Sequence, residues 1–206
     1  MFSGQQIFQH GATANEDIRE NGAVLENLIS YQVDEFVLKE RILKRATHKA
    51  KAMLASARIN IGQEFQVEFS HHYGIENFFE VGTILITVVN REYAKKLIVQ
   101  LPNQTHPAHY HKLKEETFIV LSGELTLTIE NDAKVMMPGD KVTVLPGTWH
   151  SFSSDQGCIF EEISSAAIPG DSVYSDPKIG ENLHRKTPTD NWGRFQIAQR
   201  ITNSGA

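Results

Sequence analysis

Four side chains in two short stretches have the chemistry of a metal site. His109 and His111 stand in His106-Pro107-Ala108-His109-Tyr110-His111, and Glu116 follows. His150 closes a second stretch, from Pro138-Gly139-Asp140 to Pro146-Gly147-Thr148-Trp149-His150. Alternate residues of a strand share a face, so the two histidines of a His-x-His point the same way. Glu116 has the opposite parity, and a bend or bulge near Lys112-Leu113 is needed to bring it to the same point. Three neutral imidazoles and one carboxylate leave one or two positions of an octahedral metal free. Such a set suits Mn²⁺, Fe²⁺, Co²⁺, Ni²⁺ or Zn²⁺ without choosing among them. An isolated His-x-His occurs by chance on surface strands; here Glu116, Gly123 and the Pro-Gly turns before His150 accompany it.

The elements that position these residues are short strands. Glu124-Leu125-Thr126-Leu127-Thr128-Ile129-Glu130 alternates strictly, with Leu125, Leu127 and Ile129 on the buried face. Further β-rich runs fall at 78–89, 95–101, 116–121, 141–145, 148–153 and 157–163, and Asn131-Asp132 and Pro138-Gly139-Asp140 supply turns. Many closely spaced strands suggest an antiparallel sandwich or barrel. Residues 1–12 show no periodicity and read as an arm. Thr13-Ala14-Asn15-Glu16 fits a capping box for a helix to about Ser30, with Ile18, Leu25, Leu28 and Ile29 apolar and Gly22 weakening it. A stronger helix follows over Asp34 to Arg58, with Phe36, Leu43, Ala46, Ala50, Met53, Leu54 and Ala57 on one face. Its basic residues, with His48, read as a solvated face. The expected organisation is an N-terminal helical extension over 1–60 and a β-barrel over 61–206 with an irregular tail after Pro169.

Composition excludes several classes. The chain has 206 residues, 40% hydrophobic and 22% charged, with net charge −5. That acidity argues against nucleic acid as the main partner. No apolar run has the length of a membrane span, and the first residues lack a secretory pattern. Cys158 is the single cysteine, which points to a reducing compartment, so the expected location is the cytoplasm.

The two histidine-bearing stretches resemble the motifs of the cupin superfamily. His109, His111, Glu116 and Gly123 match its first motif except for a glycine expected near Asn103; Gly139, Gly147 and His150 match its second. Pro146 stands one place late, and Ser154 replaces the usual final asparagine. All four ligand positions survive these departures. The resemblance implies a mainly β fold: a single cupin, a double-stranded β-helix or jelly-roll barrel. The run from Tyr93 to Leu101, followed by Gln104 to His111, resembles more narrowly the cupin sugar ketol-isomerases of the D-lyxose isomerase type. That family carries a lysine and a Glu-aliphatic-Ser strand where Lys114 and Glu162-Ile163-Ser164 stand. Strand parity leaves Glu161 and Glu162 open; the resemblance selects Glu162. The stretch from Ser70 to Ile163 is also similar to the cupin region attached to sialic acid synthase-like proteins.

The resemblance implies a metal-dependent isomerase interconverting an aldose and a ketose. His109, His111, Glu116 and His150 would hold a divalent transition metal, Mn²⁺ before the others. Glu162 would carry the proton, and Lys114 would support an oxygen beside it. The expected partner is a small sugar, and the family suggests a homodimer. The alternative is a non-catalytic metal-binding cupin that binds a sugar in an acidic-sugar biosynthetic setting; an oxygenase has only the ligand set in its favour. On its own, Lys114 reads as a surface lysine and Glu162 as an exposed strand residue. His71, His72, Lys96, Arg91, Tyr174, Asp176, His184 and Arg185 could line a substrate pocket, each with a packing or surface role as the plainer reading. His106 reads as a loop cap, and Trp149, Phe118 and Val120 as core.

Overall fold

The apolar periodicity of the N-terminal region is realised as one helix. In the computed structural model, which describes residues 13–165, 168–190 and Trp192, α1 runs over Thr13–Ser56. The sequence suggests two helices here. Gly22 costs roughly 1 kcal/mol of propensity relative to alanine, too little to break a 44-residue helix. The arm expected over 1–12 lies outside the described residues, as do the side chains of Ile18, Leu25 and Ile29 and the tail's Phe195.

The chain divides into two compact units between Glu40 and Arg41. In the first, Leu28, Tyr31, Val33, Phe36 and Val37 are exposed. In the second, Leu43, Ala46, Ala50 and Leu54 recur at spacings of three and four and are buried with Val67, Phe69, Phe78, Ile84 and Ile86. Lys44, Arg45, His48, Lys49 and Lys51 belong to the same turns, and His48, Lys49 and Lys51 face outward, as a solvated face should.

Short strands come next. They are β1 (Gln66–His71), β2 (Gly82–Asn90), β3 (Tyr93–Gln100), β4 (Gln104–His111), β5 (Glu116–Gly123) and β6 (Leu125–Ile129). Then come β7 (Asp132–Met136), β8 (Lys141–Val144), β9 (His150–Ser154) and β10 (Cys158–Ser165). The tail adds β11 (Ser172–Tyr174), a short helix α2 (Pro177–Glu181) and β12 (Lys186–Asp190). It is less irregular than its composition suggests: β12 pairs with β1, and β11 with β4.

The strands form two antiparallel sheets, ordered β12-β1-β2-β3-β10-β5-β8 and β11-β4-β9-β6-β7. This is the mainly β, two-sheet architecture expected of a jelly roll. Leu125 and Leu127 are buried and Ile129 partly so, as the alternation requires. They pack with Ile98, Phe118, Val120, Met136, Phe152 and Phe160. Phe118 and Phe152 meet Phe160 edge-on at 5.4 and 5.2 Å, a favoured aromatic geometry. Trp149 is only partly buried and packs edge-on against Tyr110 at 4.8 Å.

Gly123 ends β5 with φ +78°, and a Cβ there would run into the Gly157 carbonyl oxygen. Gly147 has φ +81° but open space around it. We expect Gly123→Ala to cost about 3 kcal/mol or more, combining backbone strain with a clash against main chain. Gly147→Ala should cost only about 1–2 kcal/mol from strain. Urea denaturation of both variants checks the order; equal losses would contradict it.

Candidate functional site

β4 supplies His109 and His111 on one inward face, as parity requires. Glu116 does not come from a bulge in the same strand. β4 ends at His111 and β5 begins at Glu116, and the two strands lie in opposite sheets. The intervening Lys112–Glu115 crosses the barrel, so the carboxylate approaches from the other wall. His150 begins β9, directly opposite His109. The ligating atoms of His109, His111, Glu116 and His150 all lie within 4.8 Å of one another, and all four residues are buried.

Each histidine is oriented through its other nitrogen. His109 Nδ1 donates to the Pro107 carbonyl at 3.0 Å, and His150 Nδ1 donates to the Thr148 carbonyl at 3.0 Å. His111 Nδ1 lies 3.2 Å from Asp171 Oδ2 and 3.3 Å from Ser172 Oγ. This fixes the tautomer and turns Nε2 inward, the arrangement that supports metal-ligating histidines. Burial holds the His109 imidazole well below its usual pKa; His150 and His111 add to this and Glu116 opposes it, so the ring is neutral. Glu116 Oε2 and His150 Nε2 lie 3.1 Å apart, both buried and without a hydrogen-bond partner. Two facing lone pairs at that distance fit a shared cation, and the donor set suits a divalent transition metal.

Sequence reasoning missed Asp171. It accepts from the Leu113 and Lys114 amides at 2.9 and 3.2 Å as well as facing His111. It therefore fixes the crossing loop and a histidine at once. Its only local signal is Pro169-Gly170-Asp171, which reads as a turn.

Lys114 and Glu162 are both buried, against the surface roles their types suggest. Lys114 Nζ lies 2.5 Å from Glu116 Oε1 and 3.1 Å from Glu162 Oε1. Glu162 Oε1 also accepts from Lys96 Nζ at 2.7 Å and Ser164 Oγ at 3.2 Å. Burial pushes the Glu162 pKa up, but Lys96 and then Lys114 outweigh it and hold the carboxyl below its ordinary range. Burial likewise works against the Lys114 ammonium, yet Glu162 and Glu116 raise its pKa. The neighbouring Glu161 points to the other face and pairs with Lys95 at 2.8 Å.

His109, His111, Lys114, Glu116, Lys96 and Glu162 line one cavity, together with His106, Phe118, Phe152, Tyr174 and a rim pair, Glu68 and Lys186, 2.6 Å apart. The tail thus both pairs with the sheets and walls the cavity. His71 bonds Thr187 Oγ1 at 2.9 Å and His72 bonds Ser70 Oγ at 3.3 Å; both are buried packing residues outside the cavity wall. Arg91 and His184 are exposed. Asp176 accepts from the Tyr73 hydroxyl and caps α2, and Arg185 lies over the Tyr174 ring at 5.0 Å.

Residues 96–160 match the family model described as "Cupin domain". A D-lyxose ketol-isomerase of Thermofilum sp. (strain ex4484_79) is 30% identical over 173 residues, covering 69% of this chain and 96% of that protein. A D-lyxose ketol-isomerase of Cohnella laeviribosi is 28% identical over 136 residues, covering 52% of this chain and 75% of that protein. The L-ribose isomerase of Geodermatophilus obscurus shares the fold, with a TM-score of 0.57 over 68% of this chain and 94% of that one, at 14% identity.

Burial lowers the His72 pKa to about 3, with Arg185 and Lys186 adding to the effect. The unfolded chain takes up this proton near the free value of about 6.5. Stability from a neutral His72 is therefore present above about pH 6.5 and is lost as pH falls toward 3. We expect His72→Gln to lose about 2 kcal/mol less than the parent between about pH 7 and pH 5. Urea unfolding at the two pH values measures it; parallel losses would refute the assignment.

Proposed function

We propose that this chain, which belongs to the D-lyxose ketol-isomerase family of cupins, interconverts an aldose and its ketose with the help of a bound divalent metal. The observation that carries the reading is the meeting of Lys114 and Glu162 in one cavity with His109, His111 and Glu116, three members of the cluster that His150 completes. A module that only binds sugar has no need for a buried acid and base in contact.

The reaction moves a carbonyl from C1 to C2. Glu162 is held ionised, so it can take the proton from C2 of the aldose and deliver it to C1. The C1–C2 bond becomes double in between, and the proton on the C2 hydroxyl oxygen ends on O1. Lys114 is held as the ammonium; it can donate a proton to O1 and recover one from O2. Lys96 and Ser164 keep Glu162 Oε1 in place while this happens. A cation held by His109, His111, Glu116 and His150, Mn²⁺ as first choice, would stabilise negative charge developing on the adjacent sugar oxygens. Phe118 and Phe152 form an apolar part of the cavity wall, which limits water around the acid and base.

We place the activity in the cytoplasm. Cys158 is the single cysteine and a buried free thiol, its pKa pushed by burial up to about 12, which suits a reducing compartment. No helix among the described residues is long and apolar enough to cross a membrane.

Mn²⁺-loaded protein offered pentoses and hexoses should convert at least one aldose to its ketose, read by chromatography. Glu162→Gln should lower kcat by roughly a hundred- to ten-thousand-fold while metal content stays unchanged. Full activity in that variant would remove Glu162 from its role, and no conversion by the parent would favour a binding module.

Asp171→Asn removes the carboxylate facing His111 Nδ1, and metal affinity should fall roughly 10- to 100-fold. Competition with a chelator tests this. An unchanged affinity would separate Asp171 from the metal site.

A further inference from the structure

The strand that carries His109 and His111 also presents a third histidine to the cavity. His106 is inward because the β4–β9 ladder slips: His106 pairs with Phe152 and His109 with His150, leaving one extra residue in β4 between them. The bulge at Pro107-Ala108 resets the parity, so residues 106, 109 and 111 all face inward. Bulges re-aim side chains in this way, and a proline, lacking an amide donor, fits such an irregularity.

One carbonyl then serves two rings. The Pro107 oxygen lies 3.2 Å from His106 Nδ1 and 3.0 Å from His109 Nδ1. Both imidazoles therefore carry their proton on Nδ1 and keep the Nε2 lone pair. For His109 that lone pair belongs to the four-residue cluster; His106 is not part of that cluster. The hydrogen bond that the His106 ring makes to the Pro107 carbonyl uses Nδ1, and the residue lines the cavity. The ring is stacked on Phe152 at 4.4 Å with an 18° interplanar angle, and His72 meets it edge-on at 4.5 Å. The Pro107 carbonyl and the Phe152 ring thus hold an acceptor in the cavity wall.

We infer that His106 Nε2 accepts a hydrogen bond from a sugar hydroxyl next to the metal-facing oxygens, and so positions the substrate chain in the cavity. The inference rests on the sugar-isomerase reading for its ligand class. The role is positioning, since proton transfer stays with Glu162 and Lys114. A small polyol with several hydroxyls is the chemistry that matches a fixed acceptor beside a carboxylate and an ammonium.

The test uses three variants of the metal-loaded protein. His106→Phe keeps an aromatic ring on Phe152 but removes both nitrogens. His106→Gln places an amide oxygen near the Nε2 position, and His106→Asn reaches only the Nδ1 position. Affinity for a pentitol, by titration calorimetry, reads binding without turnover. We expect His106→Phe to weaken pentitol binding, and kcat/KM for a converted aldose, by about 10- to 100-fold. Metal content and thermal midpoint should match the parent's. His106→Gln should restore most of the loss and His106→Asn little of it. In a series of monodeoxy sugars, the analogue lacking the hydroxyl that His106 reads should lose nothing further in His106→Phe.

Parent-like binding by His106→Phe overturns the inference, as do equal behaviour of the Gln and Asn variants, a fall in metal content, or no pentitol binding by the parent. A parent that binds pentitols through His106 yet converts no aldose overturns the isomerase reading and leaves His106 in place.

Discussion

Two carboxylates buried inside a β-sandwich are the constraint around which this structure is built. Glu116 and Glu162 are 2% and 3% exposed. An unpaired charge in that setting costs several kcal/mol, a large share of what a domain of this size has in reserve. Lys114 sits between the two carboxylates and Lys96 covers the second. Burial works against Lys114 and both carboxylates; His111, His150 and then Lys114 offset it for Glu116, Lys96 and then Lys114 for Glu162, and the two carboxylates for Lys114. The site therefore needs each of these side chains present and aligned. That explains why a lysine in a charged loop, Lys112-Leu113-Lys114-Glu115, turns inward: the alternative leaves Glu116 without a lysine and Glu162 with only one.

Asp171 extends the same logic to the backbone. The loop from β4 to β5 has to cross from one sheet to the other in four residues, and crossing loops have amides to satisfy. Asp171 accepts two of them and faces His111. The aspartate thus ties the route of the chain to the direction of an imidazole. Pro107 does a parallel task with a carbonyl, fixing two histidines from one bulge. Orientation in this cavity comes from main chain and tail, a layer outside the groups that would do the chemistry.

The sequence made some of this visible and hid the rest for physical reasons. The His109 and His111 pair was legible because strand parity is local. Leu125, Leu127 and Ile129 were legible for the same reason. The path of Glu116 was not, since parity assumes one continuous strand and here two strands face each other. Glu162 could not be told from Glu161 by alternation; resemblance chose it, and Glu162 points inward while Glu161 meets Lys95 on the outer face. The single long α1 was hidden because one glycine weighs heavily in a short window and little over 44 residues. Asp171 carried no chemical signal at all, because it acts through another residue.

The tail shows why local pattern fails in a particular way. β12 contains Pro188, which argues against a central strand, yet β12 is at the edge of its sheet, where a missing amide donor faces no partner. β11 has only three residues, too few for alternation to register. Both still place side chains in the cavity wall, Ser172 and Tyr174 from one and Lys186 from the other. The match to the cupin family covers residues 96–160 and so includes the four clustered residues and Lys114, but stops short of Glu162, Asp171 and the tail. A shared scaffold hosts many chemistries. In this chain the part common to that scaffold holds the cluster, whereas the proposed base comes from β10 beyond it and Ser172, Tyr174 and Lys186 of the cavity wall come from the tail. Differences in sugar preference between such chains should therefore be sought in β10, β11 and β12 and at position 106 rather than in the four clustered residues.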